Sequence, residues 1–255
     1  MSILITGASA GLGAALAVES AAPGVVLHLS ARDAARLAGT VAACEAKGAT
    51  VHPVGLDVRD AAGMATWIGG AGRLDLVIAN AGISAGTGHG SEAPEIVRDI
   101  FETNVTGVLN TALPAITAMA TQAPGADGLR GRVAVIASIA AFVAGPTAPA
   151  YCASKAAVQR WAEARDATER KRGIRVHAIC PGFIRTAITD RNAFPMPGLM
   201  EPEQAARLTL AGIRAGRLRI VYPWPLYAMS RVMGALPPGW RNRLLLRLPP
   251  KAGAA

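Results

Sequence analysis

Residues 2–20, SILITGASAGLGAALAVES, decide the fold of this chain of 255 residues. The stretch opens with a short apolar run at 3–6, which predicts a buried strand, and it ends in an alanine-rich helix. Between them lies a turn that contains Gly7, Gly11 and Gly13. Glycines let a backbone turn sharply and approach a pyrophosphate, which then binds the free N–H groups of the helix N-terminus. The stretch therefore predicts a strand, a turn and a helix that together bind a dinucleotide.

Beyond this unit, short apolar runs alternate with longer alanine-rich stretches. The runs predict strands at 3–6, 25–30, 50–56, 75–79, 132–137, 174–179 and 219–222. The stretches predict helices at 11–20, 33–47, 96–121, 150–172 and 202–215. Such alternation is typical of βαβ units around a parallel sheet. We expect one α/β domain over residues 1–222, a Rossmann-type doubly wound parallel sheet of about seven strands with helices on both faces.

The remaining residues, 223–255, form a basic and apolar extension that we do not expect to be an independent domain. The net charge of the chain is +9, and all of this excess arises after residue 203, where no Asp or Glu occurs. The basic residues there are Arg207, Arg214, Arg217, Arg219, Arg231, Arg241, Arg243, Arg247 and Lys251. Such a tail can contact an anionic membrane surface, or it can be a solvated face of a high-pI protein. Specific nucleic-acid recognition is not expected, because aromatic residues are few and no reading helix is evident.

The hydropathy, cysteine and histidine patterns indicate in which cellular compartment we expect the protein and whether we expect it to hold a metal. No apolar run reaches the roughly 18 residues that span a bilayer. Cys44, Cys152 and Cys180 are odd in number and lack CxxC spacing, so they predict neither a disulfide framework nor a metal site. The four histidines also lack metal-ligand spacing. We expect a cytoplasmic protein without a metal, with peripheral membrane contact through the tail left open.

A second motif, YCASK, places Tyr151 and Lys155 at the start of the helix predicted at 150–172. Residues i and i+4 share a helix face, so the Lys155 ammonium is expected near the Tyr151 hydroxyl, where it favours the phenolate. The ordinary tyrosine pKa is near 10, so such help is needed for acid–base work around neutrality. Ser138 ends a predicted strand, where ligands of parallel sheets bind, and is expected to donate a hydrogen bond to a substrate oxygen.

The spacing G-x-x-x-G-x-G, followed by these motifs in this order, resembles the short-chain dehydrogenase/reductase family over residues 2–222. The match is to the single-domain branch of about 250 residues. Further family motifs are Asp57 after strand three, Asn80-Ala81-Gly82 after strand four, Asn104 in the long helix, and Pro181-Gly182 with Thr186 after strand six. The resemblance implies an NAD(P)-dependent oxidoreductase acting on a CH–OH group or carbonyl, assembled as a homodimer or homotetramer.

The same resemblance implies roles for individual residues. Asn104, Ser138, Tyr151 and Lys155 would form the catalytic set, with Tyr151 as general acid/base and Asn104 holding a water in a proton relay. Lys155 would also hold the nicotinamide ribose, and Thr186 would contact the carboxamide. The implied cofactor contacts are Gly7, Ser9, Gly11, Leu12, Gly13, Arg32, Asp57, Val58, Asn80, Ala81, Gly82, Tyr151, Lys155, Pro181, Gly182, Ile184 and Thr186.

Cofactor choice depends on the residues that follow the second strand. A carboxylate there accepts a hydrogen bond from an adenosine ribose 2′-OH, whereas an arginine pairs with a 2′-phosphate. Ala31 stands where NAD-preferring relatives tend to carry Asp, and Arg32 stands where NADP-preferring relatives carry Arg. We therefore expect NADP(H) rather than NAD(H). Two residues weigh against this: Ala10 is not basic, and Asp33 could reach the ribose instead of capping its helix.

The substrate is the least determined feature. A proline-interrupted loop at 186–200 is expected to lie over the site. Its apolar residues predict an apolar carbonyl or alcohol substrate; they are Ile188, Phe194, Met196, Leu199 and Met200. Two alternatives remain, a regulatory protein that binds the cofactor without turnover and a nucleotide-sugar epimerase or dehydratase. The chain length and the glycine spacing disfavour the second alternative.

Overall fold

The computed structural model describes residues 1–87, 90–187, 189 and 195–247. Its centre is a seven-stranded sheet in which every pairing is parallel and the strand order is β3-β2-β1-β4-β5-β6-β7. The strands are β1 (Ser2–Thr6), β2 (Val26–Ala31), β3 (Thr50–Gly55), β4 (Leu76–Ala79), β5 (Gly131–Ile136), β6 (Ile174–Pro181) and β7 (Arg219–Tyr222). This confirms the predicted doubly wound parallel sheet.

Helices cover both faces of the sheet. They are α1 (Gly11–Ser20), α2 (Ala38–Glu45), α3 (Ala61–Gly70), α4 (Pro94–Phe101), α5 (Gly107–Thr121), α6 (Pro149–Glu169), α7 (Pro202–Arg214), α8 (Trp224–Ala235) and α9 (Pro238–Leu245). Apolar residues of α1, α2 and α7 form one buried cluster with one face of the sheet, and those of α3, α5 and α6 form a second cluster with the other face.

β1 shows how the core is built. Ile3, Leu4 and Ile5 are all fully buried, which explains the unbroken apolar run that predicted the strand. Successive strand residues point to opposite faces, so Ile3 and Ile5 belong to one cluster while Leu4 belongs to the other. β1 therefore joins the two layers of the core.

The strand order fixes where a ligand can bind. β1 lies between β2 and β4, so the chain winds away from β1 in both directions. A crevice opens at such a switch point, beyond the carboxyl ends of the strands. The glycine turn, Asn80, Ser138 and Pro181 follow or end β1, β4, β5 and β6 respectively, so they meet at this one edge.

Two predicted helices differ in detail from the structure, and one helix was not predicted. The helix predicted at 96–121 is interrupted by a π-helical turn, Glu102–Thr106, in which the Gly107 N–H donates to the Glu102 carbonyl five residues back. The helix predicted at 33–47 begins as a 3₁₀ turn, Ala34–Leu37, before α2. The sequence also missed α3, which the Asp60 carboxylate caps by accepting from the Gly63 N–H at 2.9 Å.

The C-terminal extension, over its described residues up to 247, forms α8 and α9. α8 packs closely on the 3₁₀ turn Ile139–Phe142, because a β-carbon at Gly234 would overlap the Phe142 carbonyl oxygen. Within the described residues, we find no helix with the length and apolar character needed to cross a bilayer. The domain boundary at 222 stays a prediction.

Candidate active site

The glycine turn has a conformation that its three glycines make possible. Gly7 and Gly11 have φ values of +67° and +56°, the left-handed region that side chains disfavour. A β-carbon at Gly13 would overlap the carbonyl oxygen of Gly7. The G-x-x-x-G-x-G spacing therefore places glycine at the two positions with positive φ and at the one position where two backbone segments approach closely. The resulting turn leaves the N-terminus of α1 open toward a ligand.

Asn80 fixes this turn from the neighbouring strand. Its Nδ2 donates to the carbonyl oxygens of Thr6 and Gly7 at 3.0 and 3.1 Å. The Thr6 Oγ1 in turn accepts from the N–H groups of Asn80 and Ala81 at 3.0 and 3.1 Å. Asn80 thus lines the site mainly as a support for its backbone.

Most of the predicted site residues line one cleft of about 690 Å³. All predicted cofactor contacts line it, and so does Ser138. Ala10, Ala31 and Asp33, which the sequence raised in connection with cofactor choice, also line it, as do Ala187 and Thr189 of the predicted loop. The sequence did not single out the remaining lining residues, which are Arg36, Leu56, Ile83, Thr103, Ile136 and Ala137. A larger hollow of about 900 Å³ between α3 and α5 contains none of the predicted site residues. In the described ranges, no three His, Cys, Asp or Glu side chains are grouped so as to hold a metal ion.

Ser138, Tyr151 and Lys155 stand together at the inner end of this cleft. A hydrogen bond joins the side chains of Ser138 and Tyr151, and the Ser138 Oγ also accepts from the Ala140 N–H at 3.1 Å. The Lys155 Nζ lies 5.9 Å from the centre of the Tyr151 ring and donates to the Ile136 carbonyl at 2.8 Å. The i, i+4 spacing thus brings the cation beside the phenol ring, and its predicted approach to the Tyr151 hydroxyl stays a prediction.

The electrostatics of this trio differ from the sequence expectation. Burial raises the pKa of Tyr151 to about 12, and the hydrogen bond with Ser138 opposes this only in part. Burial also lowers the pKa of Lys155 to about 8. The reason is that a phenolate and an ammonium both lose hydration inside the protein, so each group favours its neutral form. Tyr151 is consequently protonated at neutral pH in this structure, and the expected phenolate is not favoured.

Asn104 lies behind the cleft rather than in its wall. It is fully buried in the π-helical turn. Its Oδ1 accepts from the Ile83 N–H at 2.8 Å, while its Nδ2 donates to the Ile83 carbonyl at 2.9 Å and to the Ser154 Oγ at 3.1 Å. These contacts fix the segment after β4 against α6. The water relay that the resemblance implies for Asn104 stays a prediction.

Two arginines stand at the opposite end of the cleft. Arg32 and Arg36 are exposed and both line it. Asp33 accepts from the Ala35 N–H at 3.0 Å and so caps the 3₁₀ turn, one of the two roles that the sequence left open. Asp57 pairs with Arg59 at 2.8 Å, and this contact, with a smaller effect of Arg32, lowers the pKa of Asp57. Arg36, four residues after Arg32, was not identified from the sequence, because Arg32 precedes the 3₁₀ turn and helical spacing does not link the two residues.

The described part of the predicted loop begins as a tight turn over the glycines. A β-carbon at Gly11 would lie 2.8 Å from the Thr186 Cγ2, so Thr186 sits directly against the glycine turn. The Thr186 N–H donates to the Thr189 Oγ1 at 2.9 Å, a contact that the sequence did not predict. Ile188 and Phe194 lie outside the described residues.

A model of the short chain dehydrogenase family matches residues 1–194. The chain belongs to the short-chain dehydrogenase/reductase family. It is 38% identical over 242 residues to an uncharacterized oxidoreductase of Myxococcus xanthus (strain DK1622), with 92% of each chain covered.

Two solved short-chain dehydrogenases are similar in fold to this family member. One is from Sphingobium yanoikuyae in complex with NADPH, at a TM-score of 0.78 and 25% identity, covering 93% of this chain and 96% of that one. The other is from Burkholderia phymatum in complex with NAD, also at 0.78 and 25%, covering 100% and 98%.

The cleft of this short-chain dehydrogenase fits a nicotinamide dinucleotide on its own geometry. The glycine turn leads into the N-terminus of α1, and its backbone is so tightly folded that a β-carbon at Gly13 would overlap the Gly7 carbonyl oxygen. Arg32 and Arg36 supply positive charge at one end, and Ser138 and Tyr151 supply hydroxyl groups at the other. Gly82, Lys155 and Thr186 also line the cleft and would hold the nicotinamide half.

Proposed function

We propose that the chain is an NADP(H)-dependent oxidoreductase that reduces the ketone or aldehyde carbonyl of an apolar substrate to an alcohol, with Tyr151 as general acid. One observation carries the proposal: the linked hydroxyls of Ser138 and Tyr151, with the Lys155 cation, open into the same cleft as the glycine turn. Cofactor binding alone does not require this trio.

The nicotinamide, when bound, supplies the hydride. The chain supplies the proton and the polar surroundings. A Tyr151 whose pKa is raised to about 12 is fully protonated at neutral pH, so it can donate its proton as negative charge develops on the substrate oxygen. The Ser138 hydroxyl donates a hydrogen bond to that same oxygen. The Lys155 ammonium then stabilises the phenolate that proton transfer leaves on Tyr151.

The preference for NADP(H) rests on the residues after β2. Arg32 and Arg36 can pair with a 2′-phosphate, which guanidinium groups bind through charge-assisted hydrogen bonds. Asp33, the carboxylate that could instead serve a ribose hydroxyl, is engaged by the Ala35 N–H. Ala31 offers no hydrogen-bonding side chain. These contacts favour the phosphorylated cofactor.

Apolar residues that line the cleft support the proposed substrate class. Ile83, next to Gly82 in the chain, and Ile184, two residues after Gly182, both line it. An apolar ketone or aldehyde fits such walls better than a polyhydroxylated sugar, which needs several hydrogen-bonding partners. We further propose a cytoplasmic homo-oligomer; the three cysteines are buried and form no disulfide, which is compatible with a reducing compartment.

The proposal is tested by following NADPH absorbance with a panel of apolar ketones, aldehydes and acyl-thioester carbonyls. Turnover with NADPH, slower turnover with NADH at matched concentrations, and loss of activity in Tyr151→Phe are expected. Tight NADPH binding without turnover on any carbonyl or alcohol would favour the cofactor-binding regulatory protein. Equal turnover with NADH would refute the cofactor preference, while full activity of Tyr151→Phe would refute the proton-transfer role.

A further inference from the structure

The most exposed apolar side chains of the described residues lie in α8, in α9 and in the turn that follows α9. Trp224, Val232, Trp240 and Leu246 are 68%, 65%, 69% and 66% exposed. Large apolar residues elsewhere reach 38–42% on helices α4, α5 and α7, apart from the terminal Met1. Apolar exposure concentrated in one segment indicates a surface that is covered by a partner.

The exposed apolar residues of α8 have a fixed position, because the helix packs on the rest of the domain. Leu226 and Ser230, on its inner side, are buried. A β-carbon at Gly234 would overlap the Phe142 carbonyl oxygen, so the helix is seated directly on the turn after Ser138. Trp224, Met229 and Val232 lie on the remaining arc of α8 and are exposed. The outer face of α8 is therefore apolar and anchored to the catalytic domain.

α9 and the turn that follows it combine apolar and basic side chains. At 100° per residue, Trp240, Arg243 and Leu244 of α9 fall on one arc of about 100°, and all three are exposed. Arg247, in the turn that follows, is exposed as well. Leu246 is exposed beside them. No carboxylate side chain follows Glu203 in the whole sequence. We name the exposed apolar residues of this segment, together with Arg243 and Arg247, the tail surface.

We propose that the tail surface binds the surface of an anionic phospholipid bilayer. Tryptophan and aliphatic side chains enter the interface, and arginines pair with phosphate head groups; together these are the two components of peripheral membrane binding. Charge complementarity selects this partner, because two copies of the tail surface would bring arginines together without any carboxylate. A nucleic acid would engage the arginines and leave Val232 and Leu246 uncovered.

Co-sedimentation of the full chain with vesicles tests the proposal. Vesicles of equal parts phosphatidylcholine and phosphatidylglycerol are compared with pure phosphatidylcholine. We expect binding to the anionic vesicles that weakens as salt rises. Arg243→Gln/Arg247→Gln should weaken it on the order of 30-fold, because each basic residue at such a surface contributes about 1 kcal/mol. Trp224→Gln/Val232→Gln should weaken it on the order of 10-fold or more.

Control variants remove arginine and apolar side chains from the surface of α7, outside the tail surface. Arg207→Gln/Arg214→Gln deletes two exposed arginines of α7 and so changes the net charge equally. Leu208→Gln deletes an exposed leucine of α7. Both should bind anionic vesicles as tightly as the unaltered chain. Equal thermal unfolding midpoints for all variants would show that the tail substitutions act on binding and not on folding.

Several results would overturn the proposal. Equal binding to neutral and anionic vesicles would remove the role of the arginines. If Arg207→Gln/Arg214→Gln weakened vesicle binding as much as Arg243→Gln/Arg247→Gln, binding would depend only on the net charge of the protein and not on the tail surface. Absence of vesicle binding, with tail-dependent dimers in sizing experiments or with retention on duplex DNA, would assign the tail surface to a second copy or to a nucleic acid. None of these measurements requires catalysis.

Discussion

Replacing Lys155 by Met is expected to change how the free energy of unfolding depends on pH. Lys155 is 4% exposed, and burial lowers the pKa of its ammonium from 10.5 to about 8. Met keeps most of the length of the side chain but carries no charge. The substitution therefore removes one titrating group from the core and leaves the surrounding packing largely filled.

The magnitude follows from proton linkage. The folded pKa lies below the unfolded one, so the unfolded chain binds more protons between these values and stability rises with pH there. Burying the ammonium costs the wild type about 3 kcal/mol below pH 8, and this cost disappears as pH approaches 10.5. Losing the 2.8 Å hydrogen bond to the Ile136 carbonyl destabilises Lys155→Met by about 1–3 kcal/mol, a contribution that depends much less on pH.

Urea unfolding of both proteins without added cofactor, from pH 7 to pH 10, measures the difference. The wild type should gain about 2–3 kcal/mol relative to Lys155→Met across this range. Lys171→Met, which removes an exposed lysine just after α6, serves as the control and should run parallel to the wild type. A gap between wild type and Lys155→Met that stays constant from pH 7 to pH 10 would refute the assignment of Lys155 as a buried, desolvated cation.

Three further predictions concern the cleft. Tyr151→Phe should lower kcat for carbonyl reduction by about 10²–10⁴-fold while leaving the Kd for NADPH nearly unchanged, as measured by NADPH fluorescence. Arg32→Ala should raise the Kd for NADPH about tenfold and that for NADH little; equal losses for both would contradict a 2′-phosphate contact. Gly13→Ala should lower the melting temperature and abolish cofactor binding, because its β-carbon overlaps the Gly7 carbonyl. Gly39→Ala in α2, where a β-carbon meets open space, should be neutral or stabilising.

Local patterns in the sequence were sufficient for much of the fold and for most of the cleft. β1 is buried on both faces of the sheet, and an unbroken apolar run is the sequence pattern expected for such a strand. The positive φ angles of Gly7 and Gly11 are a property of the glycine backbone itself. Tyr151 and Lys155 meet because four residues make about one helical turn. Each of these inferences needs only neighbouring residues.

Elements with weak local patterns were missed or misjudged. α3 contains three glycines among its ten residues, so its helix propensity is low and its stability depends on the Asp60 cap and on packing of Met64 and Ile68. The π-helical turn around Asn104 has a sequence that is compatible with a continuous helix. Its extra residue is accommodated where Asn104 binds Ile83 and Ser154, which are 21 and 50 positions away.

The sequence by itself determined the alternation of strands and helices, the glycine turn and the spacing that sets a cation beside a phenol, because these depend on backbone conformation and on residues within one turn or one strand. The tertiary structure alone decided that the pKa of Tyr151 is raised, since burial outweighs the hydrogen bond with Ser138. It also decided that Asp33 caps its turn, that Arg36 joins Arg32, and that α8 turns its apolar face outward. Hydration and long-range packing are properties of the folded molecule, and the amino-acid sequence alone predicts them only in part.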